Sequence, residues 1–121
     1  MYAICHEVDV LGTATGYTPV TTGRVLAVVY IKHATNGYDA GVDFSVTTET
    51  TAQTVWGEDN VNASKTVYPR RATQDTAGVD AVYILAGQTV KEPIVVANER
   101  VAIAVSSGGA AKTGKFYVIV G

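Results

Sequence analysis

Two runs near the C-terminus constrain this chain more than any other feature. Val101, Ile103 and Val105 alternate with Ala102 and Ala104, and Phe116, Val118 and Val120 alternate with Tyr117 and Ile119. A period of two, built from β-branched and aromatic residues, is strand periodicity, because successive side chains point to opposite faces of a pleated sheet. The intervening positions are Ala or apolar rather than charged, so both faces of these strands are expected to be at least half buried. A central place in a sheet, or a face covered by protein, satisfies that pattern.

Composition points the same way. Val and Ala dominate the apolar residues, only three leucines occur (Leu11, Leu26 and Leu85), and the polar remainder is rich in Thr and Gly. Straight-chain helix formers are scarce, so local propensity favours strands and turns almost throughout. A chain of 121 residues has room for one ordinary domain and not two. The expected fold is all-β: a single-domain antiparallel β-sandwich or small β-barrel of roughly eight strands.

Along the chain, Tyr2, Ile4, His6, Val8 and Val10 alternate with Ala3, Cys5, Glu7 and Asp9. Residues 1–11 therefore read as an edge strand or as an extended arm laid on another surface. Residues 12–23 are Thr-rich and hold Pro19, as a loop or irregular edge segment would. Residues 24–32 form a strand apolar on both sides. The Asn36-Gly37 reversal signal and the alternating residues 42–48 then predict a β-hairpin with 24–32. A short strand ending at Trp56 is expected over 50–56, and residues 66–71 should be extended because Pro69 biases Tyr68 away from helix. Residues 72–78 should be exposed, 81–86 a strand and 87–88 a turn. Asn98-Glu99-Arg100 reads as a tight connection joining 94–97 and 101–105 as an antiparallel pair. Residues 106–114, with three glycines, read as a flexible loop.

The residue inventory offers little catalytic or metal-binding chemistry. His6, His33 and Cys5 with one carboxylate could supply four zinc ligands, but no spaced Cys or His motif places them together. Ser106-Ser107-Gly108-Gly109 is not a G-x-S-x-G nucleophile elbow. Glu7 with Asp9, and Asp39, Asp43 and Glu49, are explained as solvated strand faces rather than as a pair of glycosidase carboxylates. No Gly-rich phosphate loop precedes a helix. A non-enzyme without cofactor is the expectation.

The formal net charge is −2, and the densest basic point is Arg70-Arg71, too little for a groove that tracks nucleic acid. No apolar run approaches the roughly 20 residues that cross a bilayer, and the N-terminus lacks the pattern of a signal peptide, so a soluble chain without membrane contact is expected. Such a chain works by presenting surfaces. Tyr17, Tyr38 and Tyr68, beside turns or Pro, are the aromatic interface candidates, since a ring is strongest where one end is apolar and the other wet.

The run T-G-R-V-L-A-V-V-Y-I-K, then G-V-D-F-S-V-T-T-E-T-T-A-Q-T-V-W and N-V-N-A-S-K-T-V-Y-P-R-R, with A-N-E-R-V-A-I-A-V-S-S-G-G-A-A-K-T-G-K-F-Y-V-I-V at the end, resembles the small structural proteins encoded among the head genes of tailed bacteriophages. That resemblance rests on strand patterns and turn wording. It implies a capsid decoration, or cement, protein on the virion exterior, with the major capsid protein and copies of itself as partners. Under it, Tyr2 and Ile4 in the N-terminal segment would meet a neighbour's sheet edge, and Arg70 and Arg71 would face acidic capsid surface. The alternative it implies is a tail, neck or head-fibre component that binds host glycan through Trp56 or Tyr38.

Overall fold

A computed structural model describes residues 3–82 and 89–121. Tyr2, most of the strand expected over 81–86 and the turn expected at 87–88 lie outside the described residues. Among those described there is no helix, and the strands are β1 (Ile4–Leu11), β2 (Thr15–Tyr17), β3 (Thr21–Lys32), β4 (Asp43–Thr48), β5 (Thr54–Glu58), β6 (Lys65–Val67), β7 (Arg71–Ala72), β8 (Lys91–Glu92), β9 (Ile94–Glu99), β10 (Val101–Ser106) and β11 (Thr113–Val120).

The fold is all-β and antiparallel. One sheet runs β1-β11-β3-β6, with β9 also on β3; the second runs β2-β10-β4-β5; β7 and β8 form a separate ribbon. β9 pairs with β3 from Thr21 to Val25 and β6 pairs with it from Val28 to Tyr30, while β11 occupies the other edge of β3. β6 and β9 therefore lie end to end on one edge and fill a single strand position. Counted that way, eight positions in the orders 1-8-3-6 and 2-7-4-5 make a double-sheet jelly roll.

The alternation read from the C-terminal strands is what closes the sandwich. Val101, Ile103 and Val105 on β10, and Phe116, Val118 and Val120 on β11, point inward and are buried, while the residues between them are half-buried. β3 adds Val25, Val28 and Tyr30, and β4 adds Phe44 and Val46. Five aromatic rings meet in the middle. Phe44 stands edge-on to Tyr30 (4.7 Å between centroids), Phe116 (5.0 Å), Trp56 (5.5 Å) and Tyr38 (5.9 Å). Each such pair contributes about 0.5–1.5 kcal/mol beyond its buried area.

Two local expectations give way to the tertiary structure. β3 and β4 do not form a hairpin: β3 sits in the first sheet, β4 pairs with β10 and β5 in the second, and residues 33–42 cross between sheets. Neither Asn36 nor Gly37 has the positive φ that a two-residue hairpin turn needs. Likewise β9 and β10 lie in opposite sheets rather than as a pair, and the chain switches at Arg100 after Asn98 takes a φ of 52°. Residues 4–11 take the edge-strand alternative of the sequence reading, in register with β11 from Ile4↔Val120 to Leu11↔Thr113.

The glycine-rich 106–114 segment is packed, not free. A Cβ on Gly114 would overlap the Tyr38 ring and stand 2.9 Å from Cε1 of Tyr30, and one on Gly108 would stand 3.0 Å from Cδ1 of Tyr38. These positions are glycine because Tyr38 occupies the space that a side chain would need.

Candidate interaction surface

The element that stands outside this core is inserted into a strand. Val67 on β6 faces Val28, and Ile94 on β9 faces Val25. Those points are three residues apart on β3, about 10 Å at strand rise. Tyr68 and Pro93 bridge that gap in sequence, so residues 69–92 form an excursion between two halves of one strand.

The excursion is organised by its own hydrogen bonds. β7 pairs with β8 through Arg71↔Glu92 and Ala72↔Lys91. Beyond it, Thr73 N donates to Val90 O (2.8 Å), Ala81 N to Thr73 O (2.7 Å) and Val90 N to Ala81 O (2.9 Å). At one tip, Oδ1 of Asp75 accepts from the backbone of Ala77 and Val79, an Asx turn that ends in Gly78 at a φ of 79°. Among the described residues, none of the hydrophobic core comes from this excursion. Among the described residues several apolar side chains here face out: Tyr68 at its foot is 67% exposed, Val79 60% and Val82 54%.

Three of the sequence-derived interface residues gather at that foot. Beside Tyr68, Arg70 is exposed and donates from Nη1 to Pro69 O (2.8 Å); among the described residues it forms no ion pair. Arg71 is exposed and bridged to Glu92 at 3.2 Å. The others lie elsewhere. Ile4 is half exposed where β1 begins, opposite Val120. Tyr17 is half exposed on the edge strand β2, with one ring face covered by the Arg100 guanidinium 4.1 Å from the centroid. Arg100 in turn donates from Nε to Glu49 (3.0 Å), and this bond holds the Glu49 carboxyl below its usual range.

Tyr38 is not an interface residue. It is 4% exposed, and its hydroxyl donates to Val10 O at 2.6 Å; burial pushes its phenol far above the ordinary range. Trp56, the ring proposed for glycan, is also buried, and its Nε1 donates to Glu58 (3.2 Å). The turn and Pro contexts that singled out Tyr38 could not reveal that the crossover carries it inward.

The two histidines weighed for chemistry are separated, and several of the carboxylates have partners of their own. His6 faces Val118 on β11, whereas His33 follows Lys32, which faces Gly114. Cys5 and His6 are adjacent on β1 and so point to opposite faces. Glu7 bridges Lys115 at 2.8 Å, and Asp43 accepts from Asn60 N at 3.1 Å. Among the described residues, no group of three or more His, Cys, Asp or Glu is placed to hold a metal ion.

Two features escaped the sequence reading. An open groove of about 440 Å³ lies on the outward face of the first sheet, with Ile31 and Tyr117 among its lining and Asp9, Lys32, His33 and Lys115 around them. Glu99 is a buried carboxylate that accepts from Thr50 N (2.8 Å), Thr51 N (3.0 Å) and Thr51 Oγ1 (3.0 Å), which hold it below its usual range. Only the sheet switch at Arg100 brings Glu99 to that turn. No family model, curated protein or solved structure matches this chain.

Proposed function

We propose that this protein is a structural component of a tailed-phage virion that decorates the outer capsid surface and cements neighbouring subunits. The observation that carries the reading is the excursion at 69–92. It interrupts a strand and none of its described residues belongs to the hydrophobic core cluster, yet its described part is held by its own hydrogen bonds with Arg70, Arg71, Val79 and Val82 exposed. The resemblance to phage head-gene products supplies the setting. Jelly rolls serve in capsid and in lectin domains alike, so the strand order agrees with this role without selecting it.

The mechanism is mechanical. Tyr68 supplies a ring to seat on a neighbour, Arg70 is free to meet a carboxylate, and Val79 and Val82 add apolar contact. A patch of about 800 Å² per partner is enough for a specific junction, and many copies on one shell make weak junctions strong together. The partners are the major capsid protein and further copies of this chain.

Copy number by mass spectrometry on purified virions, with electron cryomicroscopy of the same particles, tests the proposal. Hundreds of copies spread over the icosahedral shell, contacting it through the excursion, are expected. Tens of copies or fewer at the neck, tail or a vertex would overturn it in favour of a connector or fibre component. Among the described residues, a glycan-binding role there would have Tyr17, Tyr68 or the groove residue Tyr117 to use, since Trp56 and Tyr38 are buried.

A further inference from the structure

The groove on the outward face of the first sheet, about 440 Å³, carries polar groups that the fold leaves unused. Strand register assembles it. Asp9 on β1 pairs with Lys115 on β11, and Lys115 pairs with Ile31 on β3, so the three share the outward face. Tyr117 lies two residues further along β11 on the same side. His33, just past β3, and Thr113, which opens β11, line the groove at one end of the sheet. Among the described residues, the Asp9 carboxylate and the Thr113 and Tyr117 hydroxyls have no hydrogen-bond or ion-pair partner. Nδ1 of His33 accepts from the backbone N–H of Asn36 (2.9 Å) and of Thr35 (3.2 Å), which leaves Nε2–H as the ring's unused donor.

We propose that this groove binds a neutral sugar residue, with its apolar C–H face against Tyr117 and Ile31 and its hydroxyls bonded to Asp9, His33 and Thr113. The chemistry of the lining selects that class. An anion finds both ammonium groups engaged, Lys115 with Glu7 at 2.8 Å and Lys32 with Asn62 O at 3.0 Å, and meets the unpaired Asp9 carboxylate. A metal ion would need more ligands than one carboxylate and one imidazole. An extended peptide would need free main-chain groups, whereas β11 is paired on both edges, with β1 and with β3. A purely apolar ligand would cover polar groups without satisfying them. A sugar ring matches what is left, since one face presents C–H groups to an aromatic ring and its rim carries hydroxyls that donate to a carboxylate and accept from an imidazole. The site goes beyond the capsid role and does not depend on it, because no lining residue belongs to the 69–92 excursion.

The test is an amide NMR titration of the isolated full chain with free glucose, galactose, mannose and N-acetylglucosamine, and with inorganic phosphate as the anionic control. At least one sugar is expected to shift the amides of Ile31, His33, Thr113 and Tyr117 saturably, with a dissociation constant in the millimolar range usual for so small a ligand. Phosphate should leave them in place. Asp9→Asn keeps the side chain's shape and removes its charge, and should weaken binding roughly tenfold. Tyr117→Val keeps a strand former and removes the ring, with a similar loss expected, while Tyr117→Phe should retain most of the affinity. The proposal is overturned if none of the four sugars moves these amides, if the shifts centre on Tyr17 or Tyr68, if phosphate produces the same shifts, or if Asp9→Asn and Tyr117→Val bind as the parent does. Because the isolated chain is titrated, such a result leaves the capsid role standing, and virion copy number bears on that role alone.

Discussion

The Tyr38 hydroxyl donates to the carbonyl of Val10 at 2.6 Å, so the middle of the crossover is fastened to β1, at the far edge of the first sheet. Its ring closes one end of the aromatic cluster, 6.1 Å from Tyr30 and 5.9 Å from Phe44. Tyr38→Phe keeps the ring and removes the donor. It should cost about 1–3 kcal/mol, the range for a buried acceptor left without its partner, whereas Tyr38→Ala should cost about 3–5 kcal/mol. Urea denaturation reads both. The phenol is raised in the folded state above its ordinary 10.0, so the neutral form is the one that folding favours. Its contribution is complete below about pH 10 and lost as pH rises beyond that, and Tyr38→Phe should blunt the alkaline loss of stability.

Gly114 leaves the space that Tyr38 fills. Gly114→Ala would drive a methyl into the Tyr38 and Tyr30 rings, with a destabilisation of about 1–3 kcal/mol or more expected from overpacking. Gly57→Ala meets nothing within 4 Å and should stay within about 0.5 kcal/mol of the parent. Equal effects at the two positions, measured by thermal denaturation, would show that the packing at Gly114 is not the cause.

Glu99 makes stability depend on acid. Its carboxyl is lowered chiefly by the Thr51 backbone bond, with the Thr50 backbone bond and the Thr51 and Thr48 side chains adding to it, so the folded state favours the ionised form. That contribution is present above the unfolded value, near 4.5, and fades as pH falls through the lower folded value. Denaturation midpoints should be level near neutrality and drop below about pH 4.5, with Glu99→Gln less stable at pH 7 and shallower in its acid limb. A parallel acid limb in the variant would assign the dependence to Glu49 or Glu58, whose carboxyls are lowered by Arg100 and Lys65.

The excursion should be separable from the fold. Joining Tyr68 directly to Pro93 would make β6 and β9 one continuous strand on β3, and because no described core residue is lost, the shortened chain should still unfold cooperatively. Under the proposed function its occupancy on capsids should fall to background. A triple alanine change at Tyr68, Arg70 and Arg71 should reduce occupancy while shifting stability by no more than about 0.5 kcal/mol. A shortened chain that binds capsids as well as the parent would move the docking surface to another face.

The sequence by itself determined the class of structure and most of its strands. Alternation at Val101–Ser106 and Thr113–Val120, and the two-sided apolar run at 24–32, specify strands through local geometry, because a period of two can bury a face only in a sheet. Partners were another matter. Asn36-Gly37 carries a hairpin signal, yet Tyr38 is buried in the aromatic core and β3 and β4 lie in different sheets. Asn98-Glu99-Arg100 reads as a turn between neighbours, yet the Glu99 carboxylate caps the distant turn at Thr50 and Thr51 and the chain changes sheets. Strand pairing, the burial of Tyr38 and Trp56, the single strand shared by β6 and β9 and the grouping of Tyr68, Arg70 and Arg71 at an excursion all depend on contacts between residues far apart in the chain. Local pattern says which face a residue presents. Only the closed sandwich decides what that face meets.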